Sequence, residues 1–204
     1  MRDQVAIYSH PRSGLHLLSL GLYYLGENFN NNLSYKDLWG GKHLPSYNHY
    51  FSIRNFKQNE TGLPFNKHIL LLRNYITLKS TKLEKHERLP SGLQLSGYVQ
   101  QIKRFDLLNS PKMVVYYEDL KEKENLFFEI AKFLNIKCRQ NINFSKLKAY
   151  VYRMYKESGH IISTKTAIEK PIVKQIEKEM IDHLGLTLYE KYLSKYKFNN
   201  METL

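Results

Sequence analysis

Cysteine is almost absent from this 204-residue chain: Cys138 is the only one. A single cysteine forms no intramolecular disulfide and no thiolate metal site, so the fold must be held by its core. Proline is scarce, at six, and tryptophan is reduced to Trp39. No apolar run approaches the ~18 residues that a membrane span needs. The first residues, Met-Arg-Asp-Gln, lead straight toward a strand-like segment without a secretory apolar region, so a cytoplasmic protein is expected. There is no Lys/Arg block, no internal repeat and no low-complexity stretch, which argues against a nucleic-acid-binding tail. Also missing are H-E-x-x-H, G-x-S-x-G and the G-x-x-x-x-G-K-[ST] triphosphate loop. His43 and His49 have no third ligand at a believable spacing, so no metal is expected.

What is present is charge of one sign. Thirty-one Lys and Arg against 19 Asp and Glu give a net charge of +12, which favours an anionic partner. The 42% hydrophobic content supports a core in one domain, 1–204, with a helical part from about 145. Gln4 to Ser9, Lys67 to Arg73 and Met113 to Tyr117 read as buried strands, and His49 to Ile53 as a further one. Helices are expected at Gly14–Leu25, Ile76–Glu87, Leu93–Asn109, Glu122–Leu134, Ser145–Lys156, Ile168–Leu184 and Thr187–Tyr196. Alternation of strands with helices predicts an α/β fold with a mainly parallel central sheet flanked by helices. Ligands of such sheets bind beyond the carboxyl ends of the strands. Arg12, Arg73 and Tyr117-Glu118-Asp119 all follow strands.

The corner Ser9-His10-Pro11-Arg12-Ser13-Gly14 joins the first strand to the first helix. A helix start offers backbone N–H groups and partial positive charge. Gly14 allows close approach, Ser13 brings a hydroxyl and Arg12 a permanent charge. This combination describes a phosphate cradle.

Pro11-Arg12-Ser13-Gly14 resembles the P-[KR]-S-G corner of the sulfotransferases that use 3′-phosphoadenosine 5′-phosphosulfate (PAPS). Ile69-Leu70-Leu71-Leu72-Arg73-Asn74, with Ser80-Thr81 beyond it, resembles that family's second strand segment. Val114-Val115-Tyr116-Tyr117-Glu118-Asp119-Leu120 resembles its strand-RYEDL segment. The resemblance covers roughly residues 1–135 and implies a P-loop-like sulfotransferase fold. It implies that Arg12, Ser13, Gly14, Leu15 and His16 hold the 5′-phosphosulfate, with Arg12 also acting in catalysis. Arg73 with Ser80 or Thr81 would grip the 3′-phosphate, and Tyr117 would lie near the adenine unless it is a core tyrosine. Glu118 would order a neighbouring loop. Ser158 and Gly159 stand where a phosphate-covering loop is expected, with Ser163-Thr164-Lys165 as the alternative. The base that takes the acceptor's proton is expected to be His49, with His43 or the carboxylate of Glu60 as alternatives. The implied activity is sulfuryl transfer from PAPS to a hydroxyl of a carbohydrate or small molecule, with no nucleic acid involved. An atypical P-loop kinase and a non-catalytic anion-binding or nucleic-acid-binding module remain alternatives.

Overall fold

Strand β1 (Val5–Ser9) is buried along its whole length, and so is β3 (Lys67–Leu72) after its first residue. Both are continuous apolar runs because helices cover both faces of the sheet. The computed structural model describes residues 5–10, 13–27, 29, 49–50, 66–79, 95–157 and 170–196, with backbone alone at 49, 50, 77, 79, 170 and 196. Strand β2 is the pair His49–Tyr50 and β4 is Lys112–Tyr116. The order across the sheet is β2-β1-β3-β4 and every pairing is parallel. The expected α/β class with a parallel central sheet is therefore observed.

The period of two along the strands divides the core. Val5, Ile7, Ile69, Leu71 and Val115 face one layer of helices, formed by α1 (Leu15–Leu25), α5 (Glu124–Phe133) and α6 (Phe144–Glu157). Ala6, Tyr8, Leu70 and Leu72 face the other. That layer holds α2 (Tyr75–Lys79), α3 (Leu95–Asp106), α7 (Lys170–Leu184) and α8 (Leu186–Leu193), which runs into a 3₁₀ turn at Ser194–Tyr196. In α3 the buried residues Tyr98, Val99, Ile102 and Phe105 follow the helical period and form one face. The ammonium of Lys112 then ends that helix by donating to the carbonyls of Phe105, Asp106 and Leu108 at 3.3, 2.7 and 2.8 Å, a cation placed on the negative end of the helix dipole.

Two buried polar groups in and beside the sheet, Tyr8 and Asp119, have clear partners. Burial pushes the Tyr8 hydroxyl up to about 12, so it stays protonated, and it shares a hydrogen bond with Nδ1 of His68, 2.8 Å away. On the far side of β4, Asp119 is buried and takes ammonium groups from Lys123 at 2.8 Å and Lys195 at 2.6 Å. The second of these fastens the 3₁₀ turn to α4 (Tyr117–Glu122).

Two expectations are corrected here. Tyr117 is not the last residue of a strand: β4 stops at Tyr116, and Tyr117 opens α4. The helix expected from Glu122 to Leu134 is observed as α5, but Glu122 belongs to α4, because Lys123 has extended backbone (φ −101°, ψ 104°) and separates the two helices. The helix expected over 76–87 is described for Tyr75–Lys79, and 80–94 lies outside the described residues. Among the described residues no helix is long and apolar enough to cross a membrane.

Candidate anion-binding site at the strand ends

Neighbouring strands β1 and β3 send their chains to opposite faces. The helix after β1 packs on one face and α2 after β3 on the other. The two connections diverge from the carboxyl ends of adjacent strands, the kind of divergence that in an open α/β sheet forms the crevice where ligands usually bind.

The β1 side of the crevice is a tight turn. Ser13 donates its backbone N–H to the His10 carbonyl at 3.0 Å, and Gly14 follows with φ 94° and ψ 21°. This left-handed conformation is natural for glycine and strained for other residues. Gly14 is the N-cap of α1, so no side chain caps that helix, and its first turn carries no acid. The positive end of the dipole is left unneutralised by the helix itself. Ser13 is fully buried, and its hydroxyl has no hydrogen-bond partner among the described residues. A buried hydroxyl ordinarily has one, so this corner has a donor to offer a ligand.

The β3 side is built by Arg73 and Asn74. Asn74 Oδ1 accepts the Ile76 N–H at 2.9 Å and so caps the start of α2. Tyr98, fully buried on α3, donates its hydroxyl to the Arg73 carbonyl at 2.9 Å. A cavity of about 20 Å³ beside them, bordered by Arg73, Asn74, Tyr98 and Tyr192, has room for one water.

Tyr117 joins the two sides. The Arg73 guanidinium lies 4.6 Å from its ring centroid and the Lys121 ammonium 5.7 Å, a double cation–π arrangement. The same ring lies against Gly14: a β-carbon added there would fall 2.2 Å from Tyr117 Cδ2. Gly14, Tyr117 and Arg73 are thus one packed unit, although each comes from a different strand end. Gly14→Ala should displace the Tyr117 ring and strain the turn, lowering stability by about 1–3 kcal/mol. Thermal melts check this, and Tyr117→Ala in the same chain should recover the part due to the clash.

Glu118 closes the arrangement. Its Oε1 accepts the Asn74 N–H at 3.1 Å, and its other oxygen is buried. Burial raises its carboxyl pKa above the ordinary value; bonds from N–H groups and the charges of Arg73 and Lys121 oppose that rise without cancelling it. Gln101, which sequence reading passed over, ties α3 to the end of β1 by donating to the Ser9 carbonyl at 3.3 Å.

The other expected residues fall elsewhere. His16 stacks on Tyr155 of α6, centroids 6.1 Å apart, and the Leu15 side chain belongs to the core, so Leu15 has only its backbone to offer. His10 is buried among rings, edge-on to Tyr75 and Tyr98. His49 pairs with Val5, the first residue of β1, whereas the crevice lies beyond Ser9 at the other end. At about 3.3 Å per residue, roughly 13 Å of strand separates the two levels. The structure therefore does not bring His49 to the crevice. Arg12, His43, Glu60, Ser80, Thr81, Ser158, Gly159 and the segment 163–165 lie outside the described residues. A separate groove of about 640 Å³ along the outer side of β4, lined by Val114, Tyr116, Leu126 and Lys195 among others, contains none of the crevice residues.

No protein-family model matches the chain, and neither does any curated protein. What the crevice can do follows from its own donors and charges. Among the described residues it offers a helix start, a buried hydroxyl and two cations on one aromatic ring, with a carboxylate of raised pKa beside them. That is a set suited to anions.

Proposed function

We propose that the chain is a sulfotransferase that moves a sulfuryl group from PAPS to a hydroxyl of a carbohydrate or small molecule, on a P-loop-like sulfotransferase fold. The observation that carries this reading is the contact of one ring, Tyr117, with both Gly14 and Arg73. It supports a reading in which the start of α1 and the Arg73 guanidinium serve the two ends of one doubly phosphorylated ligand. In this reading Ser13, Gly14 and the first backbone N–H groups of α1, with Arg12, hold the 5′-phosphosulfate. Arg73 holds the 3′-phosphate, with Ser80 or Thr81 beside it. Tyr117 contacts the nucleotide from between them.

The reaction needs an in-line attack by the acceptor oxygen on sulfur, with the bond from sulfur to the bridging oxygen of the nucleotide breaking. Negative charge collects on that bridging oxygen. Donors fixed before the reaction stabilise it most effectively, and the α1 start with Arg12 supplies them. The acceptor's proton goes to a base drawn from the segment between β1 and β3, where His43 and Glu60 lie.

Calorimetry with 3′-phosphoadenosine 5′-phosphate tests the reading. Binding at micromolar concentrations is expected, with no comparable stabilisation by ATP and Mg²⁺ in thermal shift; the reverse preference would favour an atypical kinase. The register of His49, far from the crevice, favours one other reading, a non-catalytic anion-binding module on the same fold. It predicts nucleotide binding without transfer of ³⁵S to any sugar or phenol acceptor.

A further inference from the structure

Glu118 links two strand ends that lie 44 positions apart in the chain. One carboxylate oxygen holds the Asn74 N–H; the other is buried and makes no hydrogen bond among the described residues. The groups acting on it come from three elements: Arg73 on the β3–α2 turn, Lys121 on its own helix and Tyr98 on α3, whose hydroxyl is bonded to the Arg73 carbonyl. The two cations are the same ones that share the Tyr117 ring. An anion captured by them would put a negative charge next to a carboxylate that burial already disfavours. Like charges at short range cannot both be retained cheaply, and a carboxylate whose pKa burial has already raised is well placed to take up the proton.

We propose that Glu118 is the positioning residue of the anion site, holding the Arg73–Asn74 turn and taking up one solvent proton when an anion binds there. The proposal rests on the anion-binding part of the reading above, not on the identity of the nucleotide. Protonation leaves the Asn74 bond in place, because a carboxylic acid still accepts on its carbonyl oxygen. It also converts the orphaned oxygen into an O–H donor. Arg73 is thereby released from an internal negative charge at the moment it meets an external one.

Linkage fixes the sign. Where the bound state holds more protons than the free state, affinity rises as pH falls, by at most about tenfold per pH unit for one proton. This slope is expected between the carboxyl's pKa in the free protein and its higher value in the complex. Glu118→Gln keeps an acceptor for Asn74 and carries no charge, so its affinity should lose that slope and at neutral pH equal or exceed the wild type.

The test is calorimetry on the full chain in buffers of different ionisation enthalpy, which counts protons taken up. The probes are 3′-phosphoadenosine 5′-phosphate and, separately, inorganic pyrophosphate. Because the ligands titrate too, the quantity read is the wild-type uptake minus that of Glu118→Gln, and a substantial fraction of a proton is expected. Carboxyl-labelled NMR of the wild type gives a second reading, in which Glu118 should titrate at higher pH with ligand than without. Equal uptake by the two proteins, or an unmoved Glu118 titration, overturns the proposal. Glu118-dependent uptake with pyrophosphate and no nucleotide binding would support it while overturning the PAPS reading. Nucleotide binding with Glu118-independent uptake does the opposite, and failure of both anions to bind overturns both.

Discussion

Replacing Arg73 with alanine is expected to weaken binding of 3′-phosphoadenosine 5′-phosphate on the order of 100-fold. Charge-assisted hydrogen bonds to a phosphate contribute about 1.5–3 kcal/mol each, and about 2.7 kcal/mol corresponds to that factor. The loss should reside in binding rather than folding. Arg73 lies at the rim of the crevice, half-buried, with its guanidinium on the face of Tyr117 rather than in the core. Arg73→Lys should recover only part of the affinity, because a lysine keeps the charge but not the planar fork. Calorimetry of the three proteins decides the matter; an alanine variant that binds as tightly as the parent removes Arg73 from the site.

The largest loss of stability is expected at Phe127. Its ring is fully buried between α5 and α1, and a β-carbon added to Gly21 would sit 2.2 Å from its Cε1. The glycine is therefore a socket for the ring, and the two helices approach closely because of it. Truncating Phe127 to alanine removes a ring from a close-packed layer, at a cost of about 3–5 kcal/mol. Chemical denaturation should show it as a fall in midpoint with little change in slope. A loss below about 1 kcal/mol would mean that the ring does not fill the socket.

These two residues also show what can be read from a sequence. Ile69 to Leu72 could be recognised as a strand because continuous apolarity is a local property, and so could the leucine-rich face of α1. Arg73 was visible for the same reason, as the first charge after such a run. Gly21 was not: within Leu20-Gly21-Leu22 it reads as one more helical residue, and its purpose lies in α5. The end of β4 was misplaced because Met113 to Tyr117 has no internal punctuation. Tyr117 starts a helix there, and the Glu118 side chain beside it reaches across to Asn74, a contact the local pattern does not contain. The level of His49 is likewise set by pairing with Val5, over an interval that no spacing rule spans. The candidate site was thus legible as a set of strand ends. Its internal wiring through Tyr117, Glu118 and Gln101 was not, because those contacts are made only when distant segments meet.

The all-parallel pairing has a consequence for how the molecule is born. Val5 finds its long partner only at Lys67, and β3 must wait for Lys112. At ~5–20 residues per second of synthesis, strand β1 leaves the ribosome seconds before β3 exists to pair with it. Nascent chains of this kind are natural clients for a chaperone, and overproduction should favour inclusion bodies unless translation is slowed by cold.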